Sequence, residues 1–224
     1  MSIQAKIFCC VLFLLVLIVL LTPTSCQKHK QPLTIVCLGD SLTLCGGAEG
    51  KYSDWLVRWL PNDTIINKGL EGDTLAGGRS RFQRDVLDLH PDIVVIALGA
   101  NDFWRANRQI PQLKADLEDM LSRAKAAGIQ VIITSTFGSR DYASEKRPEF
   151  SPERFDFAYG IAQMEKQLTT EYNCTYVPNM QVDIKPNGRI PYWQDQFHPN
   201  ELGNELVAKR ILEAIKTVKT QKIN

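Results

Sequence analysis

Near the C-terminus, in the stretch "WQDQFHPNELG", an aspartate and a histidine stand three residues apart, Asp195 and His198. If the loop turns between them, the carboxylate can take the proton-bearing nitrogen of the imidazole, fix its tautomer and leave the other nitrogen as a base. Such a pair is half of a nucleophilic triad. The hydroxyl that would complete it is that of Ser41, which follows the apolar run "TIVCLGDS" where a strand gives way to a loop, although no G-x-S-x-G elbow surrounds it. Acyl transfer also needs donors aimed at the developing oxyanion, each worth ~2.7–4 kcal/mol on removal. The amides of Ser41 and Gly69 and the side-chain amide of Asn101 are placed to supply three. Taken singly, each signal has a structural alternative. "GDS" could be an Asx turn, "GAND" a strand-ending turn, and Asp195 with His198 a capping pair for a helix starting near Asn200.

The elements that must hold these residues alternate in type from Leu33 onward. Short β-branched runs, "TIVCLGDS", "TIINKG", "DIVVIALGAND", "QVIITSTFG" and "TYVP", are separated by stretches with helical spacing. Leu113, Leu117, Met120, Leu121 and Ala124 share one helical face, as do Leu202, Leu206, Ile211 and Ile215, and a further helix is expected over 152–171. The strands are continuous apolar runs without alternation, as expected when helices cover both faces of a parallel sheet. The pattern predicts an α/β three-layer sandwich with a five-stranded parallel sheet, flavodoxin-like, as one domain over 33–224. In such sheets ligands bind outside the carboxyl ends of the strands. Asp40 and Ser41 end the first strand, Gly69 the second, Asn101 and Asp102 the third, and Asp195 and His198 lie after the fifth on the same edge. His90 precedes the third strand and falls at the opposite end.

Four blocks of the chain match a known pattern in order: "GDSL" from Gly39, "NKG" ending at Gly69, "GAND" from Gly99, and "DQFHP" from Asp195. The sequence thereby resembles the SGNH, or GDSL, hydrolase superfamily over essentially all of the chain after its first segment. "NKGLEGDTLAGG" followed by "LHPDIVVIALGANDFWR" is most similar to the periplasmic arylesterase, acyl-thioesterase and lysophospholipase branch. The resemblance implies Ser41 as nucleophile, His198 as base, Asp195 as its orienter, Gly69 and Asn101 as oxyanion donors, and no metal or organic cofactor. The spacers Gln196 and Phe197 and the cysteine-containing "TLCGG" depart from that branch.

The rest of the chain sets the context. Lys6 precedes an unbroken apolar run over 7–21, which ends in the small, polar "TPTSC". A spanning helix needs ~20 apolar residues, so residues 1–26 are expected to be a signal peptide, with an uncleaved anchor as the other reading. Cys26 and the polar tether over 27–32 resemble a bacterial lipoprotein site, although Pro23 replaces the aliphatic residue three before the cysteine. The expected location is therefore the periplasm or a lipid anchor on a membrane, with secretion as the alternative. The 224 residues hold 26 Lys and Arg against 25 Asp and Glu, a net charge of +1, without a basic stripe, which argues against nucleic acid as a partner. Three histidines and no paired C-x-x-C spacing argue against a protein-built zinc site. Of the six cysteines, Cys37, Cys45 and Cys174 are expected to be plain thiols.

For substrate, Phe103, Trp104, Tyr192, Trp193 and Phe197 are candidate walls of an apolar acyl pocket. The long polar connection over 136–151 is a candidate substrate loop carrying Arg140, Lys146 and Arg147. The expected activity is hydrolysis of a small-molecule or lipid ester or thioester through an acyl-enzyme. A carbohydrate O-acetylesterase is the second enzymatic reading, and an acyl- or glycan-binding lipoprotein without catalysis is the reading from another class.

Overall fold

The computed structural model describes residues 31–105, 107–135, 151–181, 192–195 and 197–221. The expected signal peptide over 1–26 with Cys26, the candidate substrate loop over 136–150 and the spacer Gln196 lie outside the described residues. Contacts divide the chain into Met1–Gln31 and Pro32–Asn224, and the fold below is that of the second unit.

Five short runs rich in β-branched and aliphatic residues form the strands: β1 (Thr34–Gly39), β2 (Thr64–Gly69), β3 (Ile93–Ala97), β4 (Gln130–Thr134) and β5 (Thr175–Val177). All neighbouring pairs are parallel and the order is β2-β1-β3-β4-β5. Ile35 through Leu38 on β1 and Ile93 through Ile96 on β3 are buried without interruption, so both faces of the central strands are covered. The helices are α1 (Ser41–Leu44), α2 (Tyr52–Trp59), α3 (Leu75–Asp85), α4 (Ala100–Arg105), α5 (Ile110–Ala126), α6 (Pro152–Tyr172) and α7 (Glu201–Gln221). The step from β1 to β2 runs opposite to the later ones, so right-handed crossovers put α2 on one face and α3, α5 and α6 on the other. α7 packs on α2, while α5 packs on both α3 and α6. The three-layer sandwich expected from the sequence is therefore the observed one.

Two expectations change in detail. The third strand stops at Ala97 rather than at Asn101 and Asp102, because Gly99, at φ +111, turns the backbone through a region that side chains disfavour; the next residues wind into α4. On α7 the core stripe is Val207, Ala208, Ile211, Ala214, Ile215 and Val218. Leu202 precedes it, 47% exposed in the first helical turn, where Trp55 of α2 donates to the neighbouring Glu201 carbonyl at 3.2 Å. The strand order reverses between β1 and β3, which opens a crevice at their carboxyl ends. Ser41 and Asn101 both sit there.

Candidate active site

The loop over 192–200 shows why aspartate and histidine are three apart. Asp195 Oδ1 accepts from the amides of Phe197 (2.7 Å) and His198 (2.8 Å), which closes the turn, while Oδ2 faces His198 Nδ1 at 2.8 Å. One carboxylate oxygen shapes the backbone and the other holds the ring. With the imidazole proton on Nδ1, His198 Nε2 is left to accept from Ser41 Oγ, 2.9 Å away. Partial burial pushes the Asp195 carboxyl up, but the two amides and the imidazole together outweigh it and hold the group below its ordinary value. The loop is fastened by Gln194 N–H to His198 O (3.0 Å) and Asn200 N–H to Tyr192 O (2.9 Å). Asn204, fully buried on α7, donates to Pro199 O at 3.2 Å and to Cys45 O at 2.9 Å, tying the histidine loop to the chain just past the serine helix.

Asp40 builds the nucleophile turn. Its Oδ1 accepts from Leu42 N–H at 2.8 Å, capping the single turn of α1 and leaving the Ser41 amide without an acceptor among the described residues. Asn101, on the first turn of α4, donates through Nδ2 to Asp40 Oδ2 at 3.2 Å, which occupies one of its two amide hydrogens. Gly69 departs from the sequence expectation. Its N–H donates to Asn67 Oδ1 at 2.9 Å in an Asx turn and is not free for an oxyanion. On the same connection the amides of Glu71 and Gly72 find no acceptor among the described residues. Gly72 takes φ +69, and a Cβ there would project to 2.8 Å from the Arg105 guanidinium of α4, the helix that carries Asn101.

Sequence reasoning missed the buried polar residues that hold these turns. Asn67 also donates to Thr43 O (2.8 Å) and Ser53 Oγ (2.7 Å), bracing α1. Asp102 Oδ2 accepts from Leu75 N–H at 2.9 Å, so α3 starts where α4 directs it. Arg81 donates to Gly39 O (3.0 Å), Lys68 O (2.8 Å), Asp73 (2.7 Å) and Asp85 (3.0 Å), clamping the ends of β1 and β2. The available signal was charge on the inward face of α3, which reads as solvated surface until the sheet edge is known.

The candidate pocket residues divide. Phe103 is 1% exposed and Trp193 8%; both belong to the core and neither presents a wall to solvent. Trp104 packs edge-on to Phe103 (5.1 Å) and to Phe197 (5.1 Å), and the Phe197 ring lies 6.2 Å from His198. Phe197 is 40% exposed, and Tyr192, five residues earlier, is partly buried. Burial pushes the Cys37 and Cys45 thiols up to about 12 and that of Cys174 up to about 11, so these three, unpaired with one another, are protonated near neutrality.

Residues 37–206 match the GDSL-like lipase/acylhydrolase family. The chain belongs to that family. As a GDSL protein it is an enzyme that hydrolyses ester bonds. It is 27% identical over 169 residues to esterase TesA of Pseudomonas aeruginosa, covering 70% of this chain and 79% of that one. It is 25% identical over 212 residues to the acetylxylan esterase of Geobacillus stearothermophilus, covering 81% and 93%. The crystal structure of TesA shares the fold with a TM-score of 0.69 at 21% identity, over 82% of this chain and 98% of that one.

Proposed function

We propose that this GDSL enzyme is an exported serine esterase that cleaves carboxylic esters or thioesters with apolar acyl groups through an acyl-enzyme. The observation that carries the reading is the unbroken path from Asp195 Oδ2 to His198 Nδ1 (2.8 Å) and from His198 Nε2 to Ser41 Oγ (2.9 Å). His198 Nε2 takes the Ser41 proton as Oγ bonds to the acyl carbon, and the carbonyl oxygen becomes an oxyanion. Its donors are the Ser41 amide, one hydrogen of Asn101 Nδ2 and, in place of Gly69, the Gly72 amide. Collapse breaks the bond to the leaving alkoxide or thiolate, which receives the proton from His198. Water then gives a proton to His198 and its oxygen to the acyl carbon, and the acid departs as the proton returns to Ser41. Asp195 stays ionised throughout.

Apolar acyl groups are favoured by the surroundings of the nucleophile. Leu44, three residues from Ser41 on α1, is 38% exposed, Leu70 just after β2 is 50% exposed, and Phe197 next to His198 is 40% exposed. Such side chains beside a polar centre offer dry surface for an alkyl chain. The likeness to acetylxylan esterase supports a second reading, deacetylation of a carbohydrate. Export rests on Lys6, the apolar run and "TPTSC" in the sequence, with lipid attachment at Cys26 as a further step.

A panel of p-nitrophenyl esters from acetyl to decanoyl, matching thioesters, a lysophospholipid and acetylated xylo-oligosaccharide tests the choice. Rising kcat/KM from acetyl to at least hexanoyl supports the first reading; activity confined to acetyl groups selects the carbohydrate reading. Failure of a fluorophosphonate to label the protein would leave only ligand binding.

A further inference from the structure

Asp40 has a second acceptor oxygen that capping α1 does not use, and that oxygen holds the amide of Asn101. The geometry points to Asp40 as a positioning residue of the oxyanion site, its carboxylate fixing the amide of Asn101 with the nitrogen toward the reacting carbonyl. This rests on the proposal that Ser41 is the nucleophile and Asn101 an oxyanion donor.

A primary amide can present either its oxygen or its nitrogen to the same space, and only its partners decide which. Asp40 is 1% exposed, with Oδ1 committed to Leu42 N–H at 2.8 Å and Oδ2 to Asn101 Nδ2 at 3.2 Å. An ionised carboxylate only accepts, so it admits the nitrogen and refuses the carbonyl oxygen. One amide hydrogen is thereby held by Asp40, and the second, on the same nitrogen, is aimed away from it. Were the amide to turn over, an oxygen would face the developing negative charge and a donor would become a repulsive group. An aspartate could cap α1 without reaching Asn101, and an asparagine would cap it as well. The contact across 61 residues, from the β1 edge to α4, is what the cap does not explain.

The orientation depends on the proton count of Asp40. Burial pushes its carboxyl up to about 7; the Leu42 amide and Asn101 oppose this, while the carboxylates of Asp73 and Asp102 add to it. The Tyr52 hydroxyl and the Cys45 thiol also feel its charge, and burial keeps both protonated. Above about 7 the carboxylate holds the amide nitrogen. Below it the acid carries a hydrogen of its own and can donate to the amide oxygen instead.

The test is a double-mutant cycle of wild type, Asp40→Asn, Asn101→Ala and the double variant, with p-nitrophenyl butyrate at pH 8.5 and melting temperatures for all four. Asparagine keeps the cap through Oδ1 but sets an NH₂ against Asn101, so the amide must turn. Expected is a loss of roughly 10²–10³-fold in kcat for Asp40→Asn, with KM within a few-fold. In the Asn101→Ala background the same substitution should change kcat by less than about 3-fold, since coupled residues are not additive. Equal cost in both backgrounds, or none in either, overturns the assignment. If Asp40→Asn does not fold, the ratio of wild-type to Asn101→Ala kcat is measured from pH 5.5 to 8.5. It should rise through about 7 and level off, and a flat ratio overturns the assignment. Ser41→Ala is run beside both. Turnover surviving in Ser41→Ala would mean that the nucleophile reading has failed, whereas Ser41 dependence with an additive cycle removes only the role of Asp40.

Discussion

Arg81 offers a quantitative test of how the site edge is held. Its side chain is 7% exposed, and it satisfies the carbonyls of Gly39 and Lys68 together with the carboxylates of Asp73 and Asp85. In Arg81→Met the apolar stem is roughly preserved and the fork is lost. Asp85 keeps Arg84 (2.9 Å) and Lys68 (3.6 Å), and Gly39 O keeps the Leu70 amide (2.9 Å). Among the described residues Asp73, 7% exposed, keeps only the Thr74 amide at 2.9 Å, so one buried carboxylate loses its counter-ion. Removing one member of a buried pair costs about 3–5 kcal/mol. For a domain of this size each kcal/mol shifts the midpoint by about 2–4 °C, so the melting temperature should fall by roughly 6–20 °C. Differential scanning calorimetry at pH 7.5 measures this. Asp73→Asn added to Arg81→Met should recover part of the loss, because no unpaired charge remains. A fall below about 3 °C, or no recovery in the double variant, would show that Arg81 does not hold the ends of β1 and β2 together.

Asp195→Asn keeps the acceptor for the Phe197 and His198 amides but turns an NH₂ toward His198 Nδ1, moving the ring proton to Nε2; kcat should fall by about 10³–10⁴-fold, and an unchanged rate would mean that His198 does not act as the base. Trp104→Ala removes two edge-on ring contacts and should lower kcat/KM for octanoyl relative to acetyl esters by roughly 10-fold or more. A uniform loss across chain lengths with a lower melting temperature would make Trp104 a packing residue only. Burial pushes the Glu165 carboxyl up to about 8, against an ordinary value of 4.5 when unfolded; the nearby Ser135 hydroxyl opposes this and the charge of Asp102 adds to it. The native state therefore binds this proton more tightly, and the stability it brings is full below about 4.5 and lost as pH rises through about 8. Thermal melts of Glu165→Gln and wild type should diverge in favour of the variant from pH 5 to pH 8, and parallel curves would contradict the assignment.

The sheet was legible because its central strands are buried on both faces and so appear as uninterrupted apolar runs, from Ile35 to Leu38 and from Ile93 to Ile96. Asp195, His198 and Ser41 were legible because their spacing and placement at strand ends restrict what they can reach. The Gly69 amide was expected to be an oxyanion donor, but a glycine at a strand end offers a free amide only if no side chain closes on it. The Asn67 carboxamide does so two residues away, a contact that depends on a rotamer. Phe103 and Trp193 were grouped with Trp104 and Phe197 by proximity along the chain, but neighbours on a helix or a tight loop point in different directions. Arg81, Asn67 and Asn204 could not be found from pattern alone. Polar residues are mostly solvated, and only the converging strand and helix ends show that these three are buried with partners.

The most direct measurement is mass spectrometry of the intact protein and of its digest after reaction with a fluorophosphonate, run on wild type and Ser41→Ala alongside kcat on p-nitrophenyl butyrate. Wild type should gain the mass of one phosphonyl group on the peptide containing Ser41, and Ser41→Ala should gain none and lose several orders of magnitude in kcat. Labelling of Ser41→Ala, or turnover near the wild-type rate, would contradict Ser41 as the nucleophile.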